Sequence, residues 1–340
     1  MASDRTPPGK RASLVIVDLA IARSSPAGSC VLAQIEALRT EYDIIAISAR
    51  LELAVSASLR FTRVRVPAFP LLLRYVSFVW RAKRLLRDLL RKEPHALVQA
   101  TQGQFAGAAV CYAHFCHAAY LAGSSRGASA GGLRGLARRL AHAFNARCEH
   151  AAFRRAARVV VPSRGLAREL RAHYPWLDDR LTVIANPVDA KRFALPADFD
   201  RAGIRAPLEV PGDAFALCFI ALGDFARKGL HLVIDAVADL AQRKLPAIHV
   251  LVVGGRRGEI AAARDHAARL HVAKRVHFVG LQEDVRAFLW ASDAFILASA
   301  YEAFPLVVLQ AAAAGLPVAA RCATPRALPR ATDPTGECSR

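Results

Sequence analysis

From Glu302 to Val318 the chain reads E-A-F-P-L-V-V-L-Q-A-A-A-A-G-L-P-V. A carboxylate stands on a loop just after an apolar stretch, Ala294–Ala298, that reads as a strand. Pro305 suits the first turn of a helix, where its missing N–H would be unpaired anyway. Leu306–Ala314 supplies an apolar helix, Gly315 its C′ position, and Pro317-Val318 opens another buried strand. The free N–H groups at the start of such a helix form an anion site. Glu302 beside it can accept hydrogen bonds from hydroxyls. A site that holds both phosphate and sugar needs that pairing.

A second set of candidates lies upstream. Arg227 and Lys228 sit in a loop, Gly223–Gly229, between the strand Phe215–Leu222 and the helix Leu230–Arg243. Two cations there can neutralise a diphosphate, Arg bidentately, or they are a solvated loop pair. The strand His249–Val253 ends in Gly254-Gly255. In the first half, Ala108–Phe115 reads as a strand that runs into His114 and His117. Open parallel sheets bind ligands at such strand ends, although a lone histidine is more often structural. Pro26–Ser29 reads as a small-residue turn between the strand Leu14–Leu19 and the helix Val31–Arg39, a corner at Gly28 that tolerates phosphate or sugar. It lacks G-x-G-x-x-G, so a dinucleotide site is not expected.

Alternating strands and helices must position these groups, which predicts an α/β fold with parallel sheets covered on both faces. Further strands are expected at Ile44–Ser48, Val64–Pro67, Ala96–Gln99, Arg158–Val161, Leu181–Ile184 and Val276–Gly280, with helices at Leu71–Lys92, Leu136–Ala157 and Val285–Ala291. Residues 190–213 lose periodicity and gather Pro and Gly. The expected division is a first domain at 1–189, a linker at 190–213 and a second domain at 214–340. Gly123–Gly135 reads as an acceptor-side loop.

The 340 residues are 54% hydrophobic and carry a net charge of +19, enough apolar material for two cores. No apolar run reaches the roughly 20 residues that span a bilayer. Leu14–Ala22, behind Lys10-Arg11, resembles a signal peptide only faintly, and Asp18 interrupts it. Seven cysteines without C-x-x-C or metal spacing read as reduced thiols of a cytosolic protein. The positive charge concentrates in the first half: Arg63–Lys92 holds nine Lys/Arg and one acid, Asp88. The helix Leu71–Lys92 within it either lies on an anionic membrane or turns a solvated basic face to water. Aromatic-basic interleaving and recognition-helix motifs are both missing, so a nucleic-acid partner is not expected.

Six segments in order resemble one family: V-V-V-P-S-R-G-L (159–166), V-I-A-N-P-V-D-A-K-R-F (183–193), G-D-F-A-R-K-G-L (223–230), V-V-G-G (252–255), V-H-F-V-G (276–280) and the stretch 301–318. They resemble the retaining GT-B glycosyltransferases of family 4, the "glycosyl transferases group 1" type. The resemblance implies two facing Rossmann-like domains with the active site in the cleft. It implies metal-independent transfer of a sugar from a UDP- or GDP-linked donor, with retention, to a glycan or lipid-linked acceptor. By likeness, Arg227 and Lys228 hold the donor diphosphate with the N–H groups of Leu306 and Val307, in a site that includes Gly223 and Gly254. Main chain at Val279, Gly280 and Leu281 meets the base, Glu302 the sugar or phosphate, and His114 the transferred sugar. His117 and Gly28 lie on the acceptor side.

The chain departs from the family in two places. The second motif carboxylate is Gln310 here, a weaker, uncharged acceptor for ribose hydroxyls. Arg321–Arg340 is poor in apolar residues and rich in Pro and Arg, so the second domain is expected to be incomplete at its end, as in a truncated, frame-disrupted or short variant. The expected function is sugar transfer in cell-surface polysaccharide or glycolipid synthesis at the cytoplasmic membrane face. The alternative is a relative that binds nucleotide sugar or a partner without turnover.

Overall fold

Leu14 and Ile16 turn to one face of a sheet and Val15 and Val17 to the other, and each face meets its own helix. The computed structural model describes residues 11–122, 132–243 and 247–321. The chain forms two compact units that divide between Pro187 and Val188.

In the first unit the elements are β1 (Ala12–Val17), α1 (Pro26–Leu38), β2 (Tyr42–Ser48), β3 (Leu59–Arg63), α2 (Leu71–Lys92), β4 (Leu97–Thr101), β5 (Val110–Tyr112), α3 (His117–Ala122), α4 (Gly132–Arg155), β6 (Arg158–Val161), α5 (Arg164–His173) and β7 (Leu181–Val183). The seven strands are parallel, in the order β3-β2-β1-β4-β5-β6-β7. Leu14 and Ile16 pack with Val31 and Ile35 of α1. Val15 and Val17 pack with Phe78, Ala82 and Leu86 of α2. A strand covered on both faces must be apolar throughout, which is why β1 and β2 read as unbroken aliphatic runs.

Three boundaries differ from expectation for local reasons. Pro26–Ser29 is the first turn of α1, not a turn ahead of it: the Ser25 hydroxyl caps the helix by accepting the Gly28 N–H at 3.2 Å. The third strand is Leu59–Arg63, not Val64–Pro67; Val64 makes one last ladder bond to the Ser48 carbonyl. The strand before His114 ends at Tyr112, because the His114 and Phe115 N–H groups are taken by a side chain described below. The expected loop at Gly123–Gly135 lies in part outside the described residues, and α4 already begins at Gly132.

The second unit comprises α6 (Ala190–Phe193), α7 (Arg201–Arg205), β8 (Phe215–Ala221), α8 (Phe225–Lys228), α9 (Leu230–Gln242), β9 (Ile248–Gly254), α10 (Arg257–Arg269), β10 (Val276–Gly280), α11 (Arg286–Trp290), β11 (Ala294–Leu297), α12 (Leu306–Ala313) and β12 (Val318–Ala320). Its five strands are parallel in the order β10-β9-β8-β11-β12, doubly wound, with the reversal of order between β8 and β11. Residues 322–340, on which the expectation of an incomplete second domain rested, lie outside the described residues.

Residues 190–213, expected to be a linker, are built into this unit. Phe199, Ile204 and Leu208 pack on Val210, Ala216, Leu251 and Ala291. The buried Arg205 donates to the Ala291 carbonyl at 2.8 Å and to Asp293 at 2.7 Å, and Arg201 reaches the other Asp293 oxygen at 2.7 Å. Asp293 also accepts the Ala216 N–H at 2.8 Å and so ties the segment to β8. Burial pulls the Asp293 carboxyl up, but that N–H and the two guanidiniums outweigh it and hold the group below the usual carboxylate range. Its contribution to stability is therefore present near neutrality and lost as pH falls through that depressed range. Removal of Asp293 strands a buried guanidinium. Asp293→Ala is expected to lower stability by roughly 3 kcal/mol, read as a downward shift of the urea midpoint. An unchanged midpoint would mean the segment is not clamped in this way.

Candidate active site

At the C-terminal edge of the second sheet, the loops after β8 and β11 are neighbours across the reversal of strand order. This is the crevice where open α/β sheets bind ligands. Lys228 Nζ donates to Glu302 Oε1 in a short ion pair. Arg227 Nη1 stands 3.7 Å from the same oxygen and donates to the Tyr301 carbonyl at 2.8 Å. Its Nε is 2.9 Å from Asp224. The Ser299 hydroxyl also donates to Glu302 Oε1 at 2.8 Å, and the Ala300 N–H bonds the Arg227 carbonyl at 2.8 Å. Glu302 is buried, whereas both cations keep part of their surface open. The carboxylate lies beneath the cations and fixes their heads, and their outer faces remain available to an anion.

The backbone of the cationic loop is held by a second carboxylate. Glu259, in the first turn of α10, accepts the Asp224 N–H at 2.5 Å and the Phe225 N–H at 3.3 Å through Oε1, and the Arg256 N–H at 3.0 Å through Oε2. Gly223 stands against the same side chain: a Cβ there would lie 3.1 Å from Oε2. Gly229 ends the loop at φ +77°, and a Cβ would meet the Ala298 carbonyl at 2.1 Å. Only glycine lets the two loops approach this closely.

The other expected donor-side residues fall on the same edge. Gly254 closes β9 at φ +100°, packed on the Ala221 carbonyl. Val279 and Gly280 end β10, and Leu281 follows them, exposed. Pro305 takes the N-cap position of α12, one residue ahead of the first turn, so Leu306 and Val307 are the first two helical residues. Their N–H groups belong to the set that has no intrahelical acceptor. Gln310 lies one turn further, on the face of Leu306. An anion seated at such a helix start gains about 0.3–1 kcal/mol from the helix dipole alone.

The first unit places the remaining candidates at the corresponding edge of its sheet. His114 follows β5. Gln102, at φ +55° in the turn after β4, presents its side-chain oxygen, in the amide orientation that satisfies both, to the His114 and Phe115 N–H groups at 2.9 and 2.7 Å. The His114 ring stacks edge-on to Tyr112 at 4.2 Å between centroids, and among the described residues its Nε2 is sealed from solvent without a hydrogen-bond partner. Burial pushes its pKa down to about 4, so the ring is neutral near pH 7. A neutral imidazole with an unspent nitrogen can serve a hydroxyl as donor or acceptor.

His117 is committed within its own unit. Its Nδ1 lies 2.9 Å from His142 Nδ1, and its backbone N–H donates to Glu149 at 3.0 Å. Burial and then the neighbouring His142 lower its pKa to about 3. Gly28 lies inside α1, where a Cβ would come within 2.0 Å of the Ala20 carbonyl. Its lack of a side chain is explained by packing of the helix start on the chain after β1.

Two doubly wound parallel sheets, each with polar groups at its C-terminal edge, define a two-domain α/β fold with a cationic pair at the edge of the second sheet. The sequence profile of the "Glycosyltransferase Family 4" domain matches residues 28–192, and that of "Glycosyl transferases group 1" matches residues 216–333. Between them they cover most of both units. The chain belongs to the GT-B glycosyltransferases of the family 4, group 1 type. The chain is 39% identical over 119 residues to the "Lipopolysaccharide core biosynthesis glycosyltransferase LpsE" of Rhizobium meliloti, an alignment over 34% of this chain and 32% of that protein. It is 34% identical over 180 residues to a "D-inositol 3-phosphate glycosyltransferase" of Streptomyces scabiei, over 49% and 39% of the two chains. These alignments thus span about two-fifths or less of the relatives' length. Among solved structures, WaaG, "a glycosyltransferase involved in lipopolysaccharide biosynthesis", superposes with a TM-score of 0.71 at 19% identity, over 92% of this chain and 82% of that one. Anabaena HepE in complex with UDP-glucose superposes at 0.57, with 18% identity, over 91% and 80%. These two are likenesses of fold.

Several groups at the site were not singled out from sequence. Asp224 and Ser299 flank the motif residues, and the only signal for Glu259 was its place three residues into a helix start, where carboxylates hold N–H groups. Glu149 carried no motif. It is fully buried, accepts the His117 N–H and the Tyr174 hydroxyl (3.0 Å), and burial raises its pKa to about 8. Between an unfolded value of about 4.3 and about 8, the native chain keeps a proton that the unfolded chain releases. Stability should therefore fall with rising pH across that window and level off above it. Glu149→Gln is expected to remove most of that slope, up to about 1.4 kcal/mol per pH unit, in urea unfolding followed as a function of pH. A variant with the parent's full slope would show that Glu149 is ionised at neutrality.

Proposed function

We propose that this chain moves a sugar from a nucleotide-sugar donor to a glycan or lipid-linked acceptor, with retention at the anomeric carbon, in lipopolysaccharide or related cell-surface glycan synthesis. The observation that carries the reading is the Arg227-Lys228 pair braced on Glu302 beside the start of α12. As the glycosidic bond breaks, negative charge grows on the leaving diphosphate. Fixed cations and helix N–H groups aimed at that position stabilise the charge without reorganising when it appears. In this reading the pair does the electrostatic work that a metal ion would otherwise do. Val279–Leu281 meet the base, Gln310 the ribose, and Glu302 orients the cations and the donor. His114 offers a neutral ring to the transferred sugar, uncharged where an oxocarbenium-like centre would be repelled by an imidazolium. The names of LpsE and WaaG support the lipopolysaccharide setting, and the UDP-glucose of HepE supports a UDP-linked donor.

The first unit supports a membrane-surface location. No helix among the described residues is long and apolar enough to cross a membrane. On α2, however, the stripe opposite the buried Phe78, Ala82 and Leu86 starts with exposed Leu73, Val76 and Trp80 and continues through exposed Lys83, Arg84, Arg87 and Arg91. Apolar anchors followed by cations suit the interface of an anionic leaflet, and the reading places the chain peripherally on the cytoplasmic face.

Arg227→Ala and Lys228→Ala are each expected to reduce kcat by about 10²–10³, measured as nucleoside diphosphate release from the preferred UDP- or GDP-sugar. Parent-level turnover in both variants would remove the pair from the mechanism. Gln310→Glu is expected to lower the donor KM several-fold with little change in kcat, since a carboxylate binds ribose hydroxyls more strongly than an amide. A KM that does not move would place the ribose elsewhere.

A further inference from the structure

The first unit carries a cavity of about 580 Å³ lined by four arginines, Arg50, Arg63, Arg65 and Arg74, with no acidic residue among those lining it. It opens at the C-terminal ends of β2 and β3, against the first turn of α2, with Phe61 and Pro67 among its apolar walls. Only Arg50 has a counter-ion, Glu52 at 2.5 Å. Among the described residues, the side chains of Arg63, Arg65 and Arg74 meet no carboxylate, and Arg74 Nε is sealed from solvent without a hydrogen-bond partner. The wall is held in place: Arg81 of α2 donates to the Arg65 carbonyl at 2.6 Å. Three cations without a counter-ion around one cavity repel one another, and a buried donor is left unspent. An unliganded fold gains nothing from either.

We propose that this cavity binds a phosphate-bearing group, and that the group belongs to the acceptor saccharide. Guanidiniums engage phosphate bidentately, and several of them converging favour a doubly charged group over a single carboxylate. The place in the fold says how the acceptor must be built. In the sheet order, β3 is four strand positions from β5, which precedes His114. At about 4.8 Å per strand this is roughly 19 Å along the edge, too far for one sugar ring and suited to an oligosaccharide whose charged group lies several residues from its growing end. This last step rests on the transfer reading above; the phosphate site itself does not.

The test is calorimetric and independent of turnover. Binding of glucose 6-phosphate is measured on the parent chain, on Arg63→Ala/Arg65→Ala, on Arg74→Gln, and on Arg227→Ala/Lys228→Ala, with sedimentation on phosphatidylglycerol vesicles in parallel. Arg63 and Arg65 are exposed, so their variant should keep the parent's thermal midpoint. The expected result is binding to the parent that weakens with added salt, falls at least tenfold in Arg63→Ala/Arg65→Ala and in Arg74→Gln, and persists in Arg227→Ala/Lys228→Ala. If glucose 6-phosphate does not bind but vesicle binding is lost in Arg63→Ala/Arg65→Ala, the phosphate belongs to a lipid headgroup and the acceptor assignment is overturned. Equal binding of both probes to parent and Arg63→Ala/Arg65→Ala overturns the site altogether. A chain that turns over donor yet shows that last outcome leaves the transfer reading intact, whereas phosphate binding without turnover separates the two the other way.

Discussion

Everything at the second unit's edge depends on one buried carboxylate with cations above it. Glu302 has little access to water, accepts from Lys228 and Ser299, and has the Arg227 guanidinium 3.7 Å away as a second counter-charge. A buried carboxylate is tolerable only when such donors surround it. The requirement works in both directions: the cations lose the freedom of long side chains and are held facing one way. Pre-set charges are what a reaction with a growing diphosphate charge needs, because no energy is then spent on turning them.

That arrangement exists because of topology. Lys228 and Glu302 are 74 residues apart, and the Arg227-Lys228 pair and Glu302 follow β8 and β11. The strand order reverses between these two strands, so their helices leave on opposite faces and a crevice opens at their ends. Gly229 allows the contact, with its missing Cβ at the Ala298 carbonyl. Glu259 reaches back from α10 to hold the N–H groups of Asp224 and Phe225. Three loops from one sheet edge thus support two cationic heads.

The first unit uses burial differently. His114 and His117 are kept neutral, His114 by burial alone and His117 by burial with a histidine neighbour. Among the described residues, His114 keeps a buried ring nitrogen without a hydrogen-bond partner, whereas the His117 ring bonds His142. From sequence the two looked alike, two residues past the same strand end, and only packing separates them. His117 is drawn into His142 and Glu149 on α4, residues 25 and 32 positions away. No local pattern could signal those partners. The charge of this unit also divides by place. On α2 the cations follow an apolar stripe, whereas around Arg63, Arg65 and Arg74 they close on a cavity.

The sequence by itself determined the family, the alternation of strands and helices, the extent of α2 and β6, and the motif residues at the ends of β8, β9, β10 and β11. These are legible because helix starts, glycine punctuation and two-face burial each impose a short-range pattern. Boundaries set by a partner far away were not legible. The strand before His114 stops at Tyr112 because Gln102 takes the next two N–H groups. The segment 190–213 reads as a linker by composition, but Asp293 and the surface around Ala291 anchor it. Nor could spacing alone show that Glu302 faces the cations it was expected to work beside. That contact, the neutral state of His114 and the arginine-lined cavity all come from long-range packing. Only the folded chain sets how much water each group keeps, and that decides what charge it can hold.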